Sequence, residues 1–252
     1  LTGEQQQAVD AVTHTSGYAC FLLHGITGSG KTEVYVHLMH HVLQPCPELG
    51  RRGCGQVLLL VPEINLTPPL EARFQARFPR AVIVSLHSNL NEGERLRHWL
   101  MAQQGAAQIV LGTRLAVFTP MPALQLIVVD EEHDGSFKQQ DGMRYSARDV
   151  AVIRAREAAI PILLGSATPA LESYHNALNG RYRLLTLHAR AVTEAAPPKV
   201  TCLDLRREAL MEGFSTQLIS ALKQRIMRGE QSLLFINRRG FAPVLMCGGC
   251  GW

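Results

Sequence analysis

Residues 25–32 read Gly25-Ile26-Thr27-Gly28-Ser29-Gly30-Lys31-Thr32, a glycine-rich turn that closes on a lysine and a hydroxyl. Glycines let successive backbone N–H groups face one point, and the N-terminus of a following helix adds a positive dipole end there. Such a turn, with Gly25, Thr27, Gly28, Ser29 and Gly30 as its wall, is suited to cradling the phosphates of a nucleotide such as ATP. Lys31 would reach the terminal phosphates, and Thr32 would offer its oxygen to Mg²⁺. Much further on, the apolar run Leu126-Ile127-Val128-Val129 ends in Asp130-Glu131-Glu132-His133. Acids at a strand end can hold a metal shell through Asp130 and polarise an attacking water through Glu131. Lys31, Asp130 and Glu131 are therefore the catalytic candidates. Helix capping or simple solvation of the charges is the competing explanation for the acids.

Both groups work only if strands deliver them to one edge of a sheet. Phe21-Leu22-Leu23 leads into the glycine loop and a helical pattern leaves it, the strand-loop-helix setting that the phosphate chemistry needs. Apolar, β-branched runs predict strands over 18–24, 56–61, 81–86, 108–111, 126–130, 160–164 and 183–187. Amphipathic stretches between most of them predict helices over 32–43, 66–78, 91–103, 147–158 and 170–178. This alternation predicts an α/β fold with a parallel sheet covered on both faces.

The adjacent prolines of Ala196-Pro197-Pro198-Lys199 predict a connector, since they remove backbone donors and fix φ. The expected organisation is a first lobe over 1–195 and the start of a second lobe over 196–246. In the second lobe a strand is expected over 200–205, a helix over 215–228 and a buried run over 232–236.

Composition narrows the setting. At 252 residues with 46% hydrophobic content, one full core plus part of another fits the length. No apolar run is long enough for a membrane span, and no secretory leader pattern opens the chain. Six scattered cysteines suit a reducing cytoplasm better than a disulfide framework. A net charge of +4 neither requires nor excludes a polyanionic partner. A start at Leu1 and an end at Trp252, just past a cysteine pair, suggest an internal piece of a longer protein.

The Asp-Glu-Glu-His run resembles that of superfamily 2 helicases, and other segments follow in that group's order. The resemblance implies a RecA-like nucleotide-binding lobe plus the start of a second one. Leu1-Thr2-Gly3-Glu4-Gln5 is similar to the adenine-reading element, with Gln5 as reader, although Thr2 and Gln5 also fit a capping box. Gly165-Ser166-Ala167-Thr168 resembles the motif that links the nucleotide site to the second lobe, and also fits a turn with Ser166 or Thr168 as N-cap and Pro169 opening a helix. Pro62-Glu63-Ile64-Asn65-Leu66-Thr67 and Gly112-Thr113-Arg114 resemble the DNA-track segments, in which Thr113 and Arg114 would grip phosphates; each alone also fits an ordinary helix start.

A narrower resemblance, to the primosomal replication restart helicases, lies in residues 134–149 and 237–252 and extends the match to the whole chain. The first stretch resembles their aromatic-rich loop, in which Phe137 and Tyr145 would stack on bases while Lys138, Arg144 and Arg148 contact phosphates. One of these aromatics is equally suited to plugging the gap between loop and sheet. Met143 stands where such loops tend to carry tryptophan, which removes a stacking face. The second stretch resembles their zinc-binding insertion, which implies that such an insertion begins over 247–252 and that Cys247 and Cys250 are half of its Zn²⁺ site, with a redox Cys-x-x-Cys as the rival.

By resemblance, the protein is an ATP- and Mg²⁺-dependent 3′ to 5′ DNA helicase. Its site would also include His133, Ser166 and Thr168 as coupling residues. Its partners would be forked and single-stranded DNA, single-strand-binding protein and other primosome proteins. A duplex-DNA translocase, or a nucleotide-gated DNA-binding module without turnover, shares the nucleotide motifs.

Overall fold

The computed structural model describes residues 1–44, 55–63, 67–190, 199–207, 210–211 and 213–235. Two compact units result, Leu1–Ala195 and Ala196–Trp252.

The first unit opens with α1 (Gly3–Thr13) and then alternates strands and helices. Strand β1 (Ala19–Gly25) precedes α2 (Lys31–Leu43), β2 (Gln56–Leu60) precedes α3 (Thr67–Arg77), and β3 (Ile83–Leu86) precedes α4 (Glu92–Gln103). After β4 (Ile109–Gly112) a 3₁₀ turn (Arg114–Phe118) leads to β5 (Leu124–Asp130). A small hairpin, β6 (Lys138–Gln139) and β7 (Tyr145–Ser146), comes before α5 (Ala147–Glu157). Strand β8 (Pro161–Ser166), α6 (Leu171–Leu178) and β9 (Arg183–Leu187) complete the unit.

Seven strands form one parallel sheet in the order β3-β4-β2-β5-β8-β1-β9. Successive side chains of a strand point to opposite faces, and both faces here are covered. Phe21 and Leu23 of β1 join Val34, Leu38 and Met39 of α2 on one side. Leu22 joins Ala102 of α4 and Ala147, Ala151 and Ala155 of α5 on the other. A fully buried side chain of this size contributes about 1.5–3 kcal/mol. This two-sided burial is why the strands read as continuous apolar runs.

Most expected elements form within a residue or two of their predicted limits. Strand β3 starts later than expected, at Ile83, because Val82 is engaged with Gln108, whose side chain accepts from the Val82 N–H. The helix after β8 is the instructive difference. Neither Ser166 nor Thr168 caps it; Ala170 holds the N-cap position without a side-chain bond of its own, and the helix begins at Leu171. The buried carboxylate of Glu132 supplies the cap instead, accepting from the Ala170 N–H at 2.7 Å.

In the second unit the helix α7 (Thr216–Met227) forms, capped by Ser215, whose oxygen accepts from the Leu218 N–H. The expected strand over 200–205 does not: residues 199–204 are irregular and Leu205–Arg207 is a 3₁₀ turn. The buried run expected over 232–236 is not buried where it is described: residues 232–235 are irregular and exposed, Leu233 at 97%. A strand satisfies its backbone groups only through a neighbouring strand, and none lies beside these segments among the described residues of the unit. Of the expected connector only Lys199 is among the described residues, and Cys247 and Cys250 lie outside them.

Candidate nucleotide site

The C-terminal ends of β1 and β5 open onto a cleft of about 600 Å³. Ligands in open parallel sheets collect at this edge, where helix N-termini converge. Thr27, Gly28, Gly30, Lys31 and Thr32 line the cleft from the loop side, and Asp130 and Glu131 face it from the end of β5.

The glycines have conformational work to do. Gly28 and Gly30 sit at φ 81° and 84°, in the left-handed region where a side chain is strained. The Lys31 ammonium donates to the Gly25 carbonyl at 2.9 Å, so the lysine is folded across the mouth of its own loop. Helix α2 starts at Lys31 with no side-chain cap on its first turn, leaving a dipole end directed at the loop. Ser29 is different: its hydroxyl is buried and has no hydrogen-bond partner among the described residues.

Gln5 takes the capping role that its spacing from Thr2 allows. Its amide oxygen accepts from the Thr2 N–H and its own N–H bonds to the Thr2 hydroxyl, completing a capping box on α1. Its Nε2 donates to the Ser29 carbonyl at 2.9 Å, fastening α1 to the glycine loop.

Asp130 is held by a residue that the sequence does not flag. The Tyr35 hydroxyl donates to Asp130 Oδ1 at 2.8 Å from the buried face of α2. Burial raises the Asp130 carboxyl above its ordinary value, and the Tyr35 hydrogen bond offsets part of that rise. Burial also pushes the Tyr35 hydroxyl well above its ordinary value, which keeps it protonated and donating. Asp130 and Thr32 fit a Mg²⁺ site of the kind in which one or two protein oxygens are supplemented by water and phosphate. No cluster of three or more metal-ligating side chains occurs among the described residues.

The raised Asp130 carboxyl has a thermodynamic consequence with a definite sign. Its folded form holds a proton more tightly than its unfolded form. That contribution to stability is therefore complete below the ordinary carboxylate pKa and is lost as pH rises through the raised one. At neutral pH the ionised carboxylate works against folding, so Asp130→Asn should raise Tm there. The gain should vanish in acid, below the ordinary carboxylate range. Thermal melts of both forms across pH check this, and a lower Tm for the variant at neutral pH would contradict it.

Glu131 follows in the left-handed region, at φ 47°. Such a conformation costs a non-glycine residue roughly 1–3 kcal/mol and is retained where surrounding structure enforces it. Here the Glu132 N–H donates to the Gly165 carbonyl and the Asp134 N–H to the Glu131 carbonyl, which pins the turn. Glu131 Oε2 lies 3.7 Å from His133 Nδ1. That ring nitrogen shares a 2.8 Å hydrogen bond with Ser166 Oγ, and Nε2 lies 3.4 Å from the Thr168 hydroxyl. His133, Ser166 and Thr168 are thus one bonded group beside Glu131.

The residues expected to grip DNA divide into two sets. Lys138 and Arg144 are exposed on the hairpin, and Met143 at its tip is 80% exposed. Arg114 is partly committed, donating to the carbonyls of Ser136 and Lys138, while Thr113 opens the 3₁₀ turn without capping it. Phe137 corrects the expectation of a stacking face: at 1% exposure it packs with Leu22, Leu58 and Ala147 in the core, plugging the space beneath the hairpin. Tyr145 is half-buried and meets Phe118 edge-on at 5.0 Å. Arg148 is a second correction. Its side chain, 10% exposed, pairs with Glu132 at 3.2 Å and with Asp149 at 2.8 Å, because the buried Glu132 carboxylate requires a counter-charge. Of the 62–67 segment, residues 64–66 lie outside the described residues, while the Pro62 carbonyl accepts from Ser136 Oγ.

Tyr35, Glu132 and Arg73, which also lines the cleft, were not singled out by sequence reasoning.

The family model for DEAD/DEAH box helicases matches residues 2–177. The chain is 45% identical to replication restart protein PriA of Haemophilus influenzae over 252 residues, covering 100% of this chain and 33% of that protein. The PriA proteins of Synechocystis and Bacillus subtilis are 47% and 41% identical, again over 100% of this chain and over 30% and 31% of theirs. The chain thus spans about a third of the length of these relatives. RecG bound to a three-way DNA junction shares the fold, with TM-score 0.58 and 20% identity over 91% of this chain and 28% of that one. The DEAD-box helicase Mss116 bound to ssRNA and UDP-BeF gives TM-score 0.54 and 17% identity over 75% of this chain and 40% of that one. With a glycine loop after β1, paired acids after β5 and a RecA-like parallel sheet carrying both, the chain belongs to the DEAD/DEAH box helicase family.

Proposed function

We propose that this chain is the ATP-binding lobe, with the start of the second lobe, of a 3′ to 5′ DNA helicase that acts in replication restart. The observation that carries the reading is the shared cleft of Lys31, Thr32, Asp130 and Glu131, with His133, Ser166 and Thr168 bonded behind it. Gln5 reads the adenine edge from α1. The loop N–H groups and Lys31 hold the phosphates, and Glu131 orients the attacking water. Thr32 and Asp130 hold Mg²⁺, which when bound neutralises charge on the phosphate oxygens. His133, Ser166 and Thr168 are the residues that couple the state of the nucleotide to the movement of the motor.

Thr113, Arg114, Lys138 and Arg144 supply positive or hydrogen-bonding contacts to a DNA backbone, which position a strand without reading its sequence. Forked and single-stranded DNA, single-strand-binding protein and other primosome proteins are the partners, in the cytoplasm. This assignment is supported by the 41–47% identity to the replication restart proteins PriA. Cys247 and Cys250 are half of a Zn²⁺ site in the longer protein.

Strand displacement by the full-length protein tests the reading, using duplexes with a 3′ or a 5′ single-stranded tail and a triplex substrate. ATP-dependent unwinding of the 3′-tailed duplex is expected. Release of the third strand of the triplex with no duplex unwinding would instead make the protein a duplex translocase.

A further inference from the structure

We propose that Tyr35 is a positioning residue for Mg²⁺ binding, and that Gly165 is the notch that admits its hydroxyl; the inference rests on the nucleotide-site reading above. Three elements meet at this point. Tyr35 comes from α2, one turn beyond Lys31; Asp130 ends β5; and Gly165 lies directly across from Asp130 in β8. The Tyr35 hydroxyl donates to Asp130 Oδ1 at 2.8 Å. A Cβ built on Gly165 would stand 1.8 Å from that hydroxyl oxygen and 2.9 Å from the ring carbon bearing it. No side chain at residue 165 is compatible with the bond, so the glycine that opens the Gly165-Ser166-Ala167-Thr168 segment makes the contact possible.

A carboxylate at a strand end is free to rotate about its own side-chain bonds. Fixing one oxygen limits the directions in which the remaining lone pairs are offered to a metal, and partners of this kind behind a metal ligand typically alter metal affinity 10–100-fold. Because Tyr35 and Lys31 ride on the same helix, the bond also ties the orientation of the acid to the position of the phosphate loop. A buried tyrosine that merely needed a partner for its hydroxyl would contribute to stability but would not change how the site responds to Mg²⁺.

The test is binding of a fluorescent ATP analogue to the full-length protein, titrated with Mg²⁺, for the native form and Tyr35→Phe. The half-saturating Mg²⁺ concentration is expected to rise about tenfold in the variant, while nucleotide affinity in EDTA stays unchanged because the loop and Lys31 are intact. If Tyr35→Phe does not fold, Gly165→Ala carries the same test, since the added methyl must displace the hydroxyl. A lower melting temperature with an unaltered Mg²⁺ midpoint would assign Tyr35 a structural role and overturn the proposal. Absence of Mg²⁺-dependent nucleotide binding in the native protein would instead overturn the nucleotide-site reading on which it rests.

Discussion

Lys31→Ala should abolish tight nucleotide binding, whereas Glu131→Gln should keep Mg²⁺-dependent binding and stop turnover. Lys31 is the cation of the glycine loop, and without its ammonium the loop retains N–H groups but no full positive charge. Glu131 stands on the opposite wall of the cleft, where its carboxylate can orient and polarise a water but adds negative charge next to the phosphates. Glutamine keeps the length and hydrogen-bonding reach of the side chain and tolerates the same left-handed turn about as well as glutamate does. Loss of a positioned general base reduces turnover by about 10²–10⁴-fold. Equilibrium binding and phosphate release measured on the same preparations separate the two lesions, and an equal loss of nucleotide affinity in both would contradict the assigned roles.

Glu132→Ala is expected to be among the most destabilising single changes in the first unit, at about 3–5 kcal/mol. The Glu132 side chain is fully buried and makes three separate connections. It accepts from the Ala170 N–H and from Ser173 Oγ, both at 2.7 Å, and pairs with Arg148 at 3.2 Å. Alanine would leave the first turn of α6 uncapped and a largely buried guanidinium with only Asp149 beside it. Urea unfolding of the native and variant proteins measures the loss. A change under about 1 kcal/mol would show that water replaces the carboxylate at all three partners. Glu132→Gln should cost less, because the amide oxygen can still cap α6.

The same residue shows where sequence reasoning stops. Asp130 and Glu131 are legible because an apolar strand that ends in acids delivers them to a sheet edge, and the glycine loop declares itself by glycine spacing. The parallel sheet is legible because Leu22, Leu58, Ile127 and Leu164 on one face, and Phe21, Leu59, Val128 and Leu163 on the other, make unbroken apolar runs. Glu132 offers no such signal. It reads as one more acid in the row, and its partners lie at Arg148, Ala170 and Ser173, brought near only by the order of β5 and β8 in the sheet.

Phe137 illustrates a related limit. An aromatic in a loop that also carries lysine and arginine has the same sequence signature whether it stacks on a base or closes a core, and burial against Leu22 and Leu58 decides in favour of the core. The strand expected at 200–205 has suitable composition, but a strand depends on a neighbour that local sequence does not specify. Tyr35 was hidden for the opposite reason: a tyrosine on the apolar face of a helix reads as core, and only the opening left by Gly165 turns its hydroxyl toward Asp130.

The most direct measurement is the steady-state rate of ATP hydrolysis by the full-length protein with Mg²⁺, as single-stranded DNA is added to saturation. The expected result is slow hydrolysis without DNA and a several-fold rise in kcat with it, a rise that disappears in Glu131→Gln. Tight binding of Mg²⁺ and ATP with a hydrolysis rate indifferent to DNA would contradict the account, leaving a nucleotide-gated binding module in place of a motor.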